Sequence, residues 1–271
     1  MSALKVLSSI VIGSTCYCEA MRYLILSDIH ANHLALDAVM IHANRKHWDK
    51  VIFLGDAVGY YTHPNEVLNQ IRDFNPELTI LGNHEALLLK QLSSSTDISF
   101  KEDSVVTDVI SRHAQAITPE NLEYIKTFKN RAVRETWEVT HGALRSQWEY
   151  LTTLQNAQAN VPLMTTDLCF VGHTHVPRVF AHIAEGDIWR TVAFRGEGGT
   201  YRIPPKVKII FNPGSVGQPR DGIPLASYAI FDEDLRIIEL FRVEYDLLKM
   251  QRLVREMGYA DALAARLSVG K

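Results

Sequence analysis

Five times along this chain a short apolar run, too brief for a helix, stops abruptly at an aspartate, an asparagine or a histidine. Tyr23-Leu24-Ile25-Leu26 runs into Ser27-Asp28-Ile29-His30, and Val51-Ile52-Phe53-Leu54 into Gly55-Asp56. Thr79-Ile80-Leu81 runs into Gly82-Asn83-His84-Glu85, the residues around Trp137 into Thr140-His141-Gly142, and Leu168-Cys169-Phe170-Val171 into Gly172-His173-Thr174-His175. Apolar runs of this length read as buried strands. In an open α/β sheet, functional groups collect beyond the carboxyl ends of the strands, where glycine lets the backbone approach a ligand closely. Random loops would offer Lys, Ser and Glu as often; Asp, Asn and His are the side chains that bind divalent metals of intermediate hardness.

The intervening segments read as helices. Asn32 is placed to cap a helix carrying Leu36, Val39, Met40 and Ala43 on one face, and Pro64 opens another with Val67, Leu68 and Ile71 inward. Further helices are expected over 85–92 and 104–116, with the polar run Ser93-Ser94-Ser95-Thr96 as a loop between them, and from Thr118-Pro119 onward. Strand, helix, strand, helix, strand is the layout of a parallel α/β unit. After Arg131 the pattern turns to extended segments over 133–140, 168–171, 179–183, 189–194, 207–211, 228–231 and 237–243. A helical excursion over 147–158 and a loop rich in Gly and Pro over 195–205 are expected between them, with an amphipathic helix over 245–257 stopped by Gly258. The resulting fold class is α/β: two packed mixed sheets flanked by helices, a four-layer α/β/β/α sandwich.

With 271 residues, 46% of them hydrophobic, the chain can bury a large core. The ligand candidates run from Asp28 to His175 without a linker, so residues 21–271 are expected to form one domain behind an extension over 1–20. Residues 4–18 faintly resemble a signal peptide, but the serines and threonine that interrupt them favour a poorly ordered extension. Formal net charge is −3 with no long basic run. A nucleic-acid polymer is therefore not an expected partner, no membrane span is read, and a small molecule is favoured. Three cysteines, Cys16, Cys18 and Cys169, build no disulfide framework, and Cys16 and Cys18 lack the second pair a zinc site would need. A reducing, cytoplasmic setting follows. The apolar stripe of the helix over 245–257 reads as core rather than a dimer face, with homo-oligomerisation left open.

Residues two apart in extended backbone share a side, so Asp28 and His30, like His173 and His175, can each face one cluster. Asp56 stands alone at its strand end, and its two oxygens can bridge two metals. Two cations roughly 3.5 to 4 Å apart clamp the attacking and leaving oxygens of an in-line displacement, the chemistry of phosphoryl hydrolysis.

Asp28-x-His30, Gly55-Asp56, Gly82-Asn83-His84-Glu85, His141-Gly142 and Gly172-His173-x-His175 together resemble the five motifs of the calcineurin-like metallophosphoesterase superfamily, from Asp28 through His175. Asp28-Ile29-His30-Ala31-Asn32 and the run from Asn212-Pro213-Gly214 to Arg220 further resemble its small prokaryotic phosphodiesterase branch. The resemblance implies one metal held by Asp28, His30, Asp56 and His175, and a second held by Asp56, Asn83, His141 and His173. It implies a hydroxide bridging them as nucleophile, and His84 facing the phosphate as acid or charge stabiliser, so that His84 and Asp56 carry catalysis. Asn32 and Arg220 are weaker candidates for phosphate contact. The implied cofactors are two divalent ions, manganese foremost, with iron, nickel, cobalt or zinc also compatible with imidazole and carboxylate.

Gly59 stands where the phosphoprotein-phosphatase branch carries an acidic residue, which argues against a protein-phosphatase role, and Tyr61-Thr62-His63 intervene before Pro64 where the bacterial branch differs. The activity expected is therefore a phosphodiesterase acting on a small or nucleotide-like substrate. A phosphomonoesterase or dinucleotide polyphosphate hydrolase is the alternative, and a non-catalytic scaffold is disfavoured because every motif position holds a competent residue. His33, His42, His47, His63, His113 and His182 match no motif and read as ordinary packed or solvated side chains, as Arg220 beside Asp221 reads as a surface ion pair.

Overall fold

A computed structural model describes residues 21–93 and 104–271, so the expected extension over 1–20, with Cys16 and Cys18, and most of the serine-rich loop lie outside the described residues. Strands buried on both faces form the middle of the first sheet, successive side chains entering opposite clusters. In β1 (Arg22–Leu26), Leu24 and Leu26 point into one apolar cluster and Ile25 into another. β1 pairs in parallel with β2 (Lys50–Phe53), which pairs in parallel with the two-residue β3 (Leu78–Thr79). The crossovers are α1 (His33–Ala43), capped as expected by Asn32, and α2 (Pro64–Asp73), opened by its proline. On the other side β1 pairs antiparallel with β11 (Ala226–Asp232), followed by β12 (Ile237–Val243) and β9 (Gly198–Arg202).

The second sheet has the order β4 (Arg131–Val133), β5 (Trp137–Thr140), β6 (Leu168–Phe170), β10 (Val207–Asn212), β7 (Arg178–Ile183), β8 (Ile188–Ala193). Both sheets have six strands and both are mixed. Their facing sides bury Ile25, Ile52 and Phe231 against Trp137, Phe170 and Phe211, a cluster without a charged member. The outer face of the first sheet is covered by α1, α2 and α3 (Asn83–Ser93), and that of the second by α6 (Leu154–Asn160) over Cys169, Val171 and Ile210. The remaining helices are α4 (Ser104–Ala116), α5 (Pro119–Lys126), α7 (Leu247–Glu256) and α8 (Asp261–Val269). Eight α-helices thus flank two sheets among the described residues, the four-layer arrangement read from the sequence.

Four local expectations are corrected. The strand over 133–140 is a hairpin, β4 and β5, closed by the Arg134 N–H donating to the Trp137 carbonyl at 2.8 Å. Of the helical excursion over 147–158 only α6 is helical; its first residues are held instead by turns such as Glu149 N–H to the Ser146 carbonyl. The loop over 195–205 contains β9, whose glycines let the backbone lie against Leu240. Asn83 and His84 belong to the first turn of α3 rather than to the loop before it. Among the described residues no helix is long and apolar enough to cross a membrane.

Candidate metal centre

The loops after β1 and β2 continue the pairing of their strands. Asp28, His30 and Ala31 donate their N–H groups to the carbonyls of Gly55, Asp56 and Ala57 at 2.9, 2.9 and 2.7 Å. This ladder holds Asp28, His30 and Asp56 side by side. Asp28, His30, Asp56, His173 and His175 all adopt left-handed backbone, with φ between 52 and 65°. Non-glycine residues rarely do so, and such concentration marks a functional site. Close approach also needs glycine: a Cβ on Gly82 would stand 2.0 Å from Asp56 Oδ1.

Two groups of ligand atoms result. One atom from each of Asp28, His30, Asp56 and His175 lies within 4.8 Å of the others, and so does one from each of Asp56, His141 and His173. Asp56 belongs to both. Asn83 Oδ1 lies 3.0 Å from His141 Nε2, at the edge of the second group. All seven residues proposed as ligands are buried and converge on one place.

The imidazoles are aimed. His30 Nδ1 lies 2.9 Å from the Val58 carbonyl, His141 Nδ1 2.8 Å from that of Leu54, and His175 Nδ1 2.6 Å from that of Gln218. A carbonyl only accepts, so each Nδ1 carries the proton and each Nε2 turns a lone pair inward, the arrangement metal-ligating histidines use. His30 Nε2 and His175 Nε2 then face each other at 3.1 Å with no proton between them, and Asp56 Oδ2 and His173 Nε2 are buried without any hydrogen-bond partner. Lone pairs left facing one another in a dry pocket are costly unless a cation sits among them. The donor set therefore fits divalent metal ions.

Protonation agrees. Burial pushes His30 and His175 below their ordinary value and His173 down to about 3, leaving neutral imidazoles. Asp28 and Asp56 stay below the ordinary carboxylate value although burial opposes it, Asp56 chiefly through His141. His141 is the exception: burial opposes its charge, but Asp56 at 3.2 Å pushes the imidazole up to about 10, so that without an ion its Nε2 also carries a proton, which a cation would displace.

Three residues around the centre were given no role by the sequence. Glu85, fully buried, accepts the N–H groups of Asp56 and Gly82 through Oε2 at 2.8 and 2.9 Å, and that of Val58 through Oε1 at 3.0 Å. Burial and the neighbouring Asp56 push its carboxyl up to about 7. His113, on α4, accepts the Gly59 N–H through Nδ1 at 3.2 Å and approaches the Tyr61 carbonyl through Nε2 at 2.7 Å. Tyr60 lays its ring against His30 and His84, centroids 4.6 and 4.7 Å apart. His113 did have a faint signal, since it shares the inward face of α4 with Val109 and Ile110.

His84 donates its backbone N–H to Asp56 Oδ1 at 2.9 Å and lines a cavity of about 700 Å³ with Tyr60, Trp148, Tyr150, His173 and Arg220. Arg220 is no surface partner of Asp221, which pairs with Arg242; its guanidinium bonds Gln218 Oε1 and the Tyr60 hydroxyl inside the cavity. Asn32 is oriented otherwise: its Oδ1 accepts the Ala35 N–H at 3.2 Å as a helix cap, and its Nδ2 donates to the Gly217 carbonyl at 2.9 Å.

A family model described as the calcineurin-like phosphoesterase superfamily domain matches residues 21–235. The chain belongs to this superfamily of metal-dependent phosphoesterases, hydrolases that use divalent metal. It is 34% identical over 253 residues to an uncharacterized protein of Methanocaldococcus jannaschii, covering 91% of this chain and 97% of that one. Among solved structures, a metallophosphoesterase from Sphaerobacter thermophilus superposes with a TM-score of 0.81 at 36% identity, over 93% of this chain and all of its own. A hypothetical protein of Pyrococcus horikoshii OT3 shares the fold at 15% identity, with a TM-score of 0.73 over 93% of this chain and 99% of its own.

Proposed function

We propose that the protein is a dinuclear metal-dependent phosphodiesterase acting on a small, nucleotide-like substrate. The observation that carries this reading is the shared Asp56: one carboxylate stands in both groups of ligand atoms, as a bridge between two cations requires. In this reading Asp28, His30, Asp56 and His175 hold one ion, and Asp56, Asn83, His141 and His173 the other. Manganese is the metal we favour, with iron, nickel, cobalt or zinc equally compatible with a set of imidazole, amide and carboxylate. Two such ions supply an activated water and neutralise charge on the phosphate oxygens.

His84 holds no metal in this reading. Burial pushes its imidazole down to about 4, so it is neutral near pH 7 and presents a hydrogen-bond donor to the phosphate or the leaving oxygen. Its position relative to Asp56 is fixed by its own backbone N–H. Trp148 and Tyr150, each somewhat less than half exposed, offer flat apolar surface in the cavity, and Tyr150 stacks on His173 at 4.0 Å. A substrate carrying a ring suits such a wall.

The test is a substrate panel on manganese-loaded and chelator-treated protein: bis(p-nitrophenyl) phosphate, p-nitrophenyl phosphate, cyclic nucleotides and dinucleotide polyphosphates. Diester cleavage that needs metal and outpaces monoester cleavage is expected. A loaded protein that cleaves no diester overturns the proposal, and faster monoester or polyphosphate cleavage reassigns the substrate class.

A further inference from the structure

Two guanidinium groups share one wall of the cavity. Arg220, from the loop after β10, and Arg266, from α8, both line it, each guanidinium carbon 5.5 Å from the centre of the Tyr60 ring. Both are half-buried. Arg220 bonds Gln218, Tyr60 and Tyr150, and Arg266 donates through Nε to the backbone oxygen of Lys271 at 2.7 Å. Neither is paired with an Asp or Glu side chain among the described residues. The acids nearest them in sequence are engaged elsewhere, Asp221 by Arg242 and Asp261 by Arg255.

Tyr60 lies against both this pair and the imidazoles of His30 and His84. A phosphodiester carries a single negative charge, and in the proposed reaction that charge already faces two cations and His84. Two further guanidiniums beside Tyr60 exceed what the reacting phosphate needs. Guanidinium groups fixed at a cavity wall recognise phosphate or carboxylate oxygens through paired N–H donors.

We infer that Arg266 and Arg220 form a subsite for a second anionic group, so that the substrate is a phosphodiester bearing a further phosphate or carboxylate remote from the bond that breaks. The inference rests on the phosphodiesterase reading for its substrate class, but the subsite is tested by binding alone.

Adenosine 5′-monophosphate and adenosine 3′,5′-bisphosphate differ by one remote phosphate. Calorimetric titration of the full chain should show the bisphosphate binding roughly tenfold tighter or more. Arg266→Gln should bring the ratio of the two affinities close to one, and Arg266→Lys should keep part of it. Ala262→Glu keeps the test open should the glutamine variant fold badly: Ala262 is exposed, lines the same cavity one helical turn before Arg266, and a glutamate there would pair with the arginine and abolish the preference. Equal affinities in the parent protein, or a preference that survives both Arg266→Gln and Ala262→Glu, overturns the subsite. Cleavage of bis(p-nitrophenyl) phosphate by the same parent sample separates the two conclusions: its absence overturns the phosphodiesterase reading, whereas cleavage without bisphosphate preference overturns the subsite alone.

Discussion

Gly59 lies against the imidazole of His84 so closely that a Cβ built on the glycine would stand 2.1 Å from Nδ1. Its φ of +93° is also one that L side chains rarely adopt. Gly59→Ala should therefore push His84 out of place while leaving the ligand residues where they are. Expected are a loss of turnover of roughly a hundredfold or more, the scale of a displaced acid or donor, and a destabilisation of about 1–3 kcal/mol from backbone strain. Steady-state kinetics with metal analysis check this; a variant at full turnover would show that the position of His84 does not matter.

The ligand and the non-ligand should separate on mutation. Asp56→Asn removes the carboxylate shared by both groups of atoms, so metal content and activity should fall together. His84→Ala should keep its metal and slow turnover by roughly a hundredfold or more. Elemental analysis of both variants decides: equal metal loss in the two would contradict the roles assigned.

Glu85 is a framework residue of the site. Its carboxylate gathers three N–H groups from Gly82, Asp56 and Val58, which lie on both sides of the candidate bridge. Glu85→Ala would leave those donors buried and unpaired, at about 1–3 kcal/mol for an unsatisfied group. Lower unfolding midpoints in urea are expected, with weaker metal retention because Asp56 loses its support; Glu85→Gln, which can still accept, should fall between. A stable Glu85→Ala variant with full metal would count against the argument.

How far the sequence reached follows the range of the signals. The runs at Leu24, Val51 and Phe170 carry their own evidence, since each is a continuous buried apolar run and an abrupt polar residue marks its end. That was enough to bring Asp28, Asp56, Asn83, His141, His173 and His175 together. Roles that depend on contacts across the fold left no such trace. Glu85 was visible as the last residue of its motif, but its bonds to Asp56 and Val58 span 29 and 27 residues. His113 reaches Gly59 across 54 residues, and nothing local distinguishes it from another helix histidine. The helix α8, which brings Arg266 to the cavity, was not read at all: Leu263 and Leu267 have helical spacing over little more than one turn. Asn32 shows the opposite error of emphasis, its local capping signal being the part that the structure uses.

His113 should make stability depend on pH. Nδ1 accepts from the Gly59 N–H, so the neutral ring keeps its proton on Nε2, toward the Tyr61 carbonyl. Burial pushes it down to about 4 from its ordinary 6.5. The folded value lies below the unfolded one, so the unfolded chain takes up the proton first as pH falls. The contribution is complete above about 6.5 and is lost as pH drops toward 4, about 3 kcal/mol in all at roughly 1.4 kcal/mol per unit. Urea unfolding of the parent and His113→Gln at pH 7, 6 and 5 isolates the effect: the gap in midpoint between them should narrow on acidification, and a gap constant with pH would refute it.

Removal of metal should loosen the site without unfolding the protein. The cluster between the sheets contains no ligand, and its aromatic and aliphatic side chains keep their contacts whatever the pocket holds. The pocket itself has opposed lone pairs and five residues in left-handed backbone, and divalent ions would hold both in place. A ligand at a hundred times its dissociation constant stabilises by about 2.7 kcal/mol. For a chain of this size that corresponds to a shift in Tm of roughly 5–10 °C. Scanning calorimetry of chelator-treated protein, before and after adding manganese, should show one cooperative transition in both states and a rise of that order on loading. Chelated protein that has lost the transition would place the metals in the folding of the core, and an unchanged Tm would mean that these residues hold no ion.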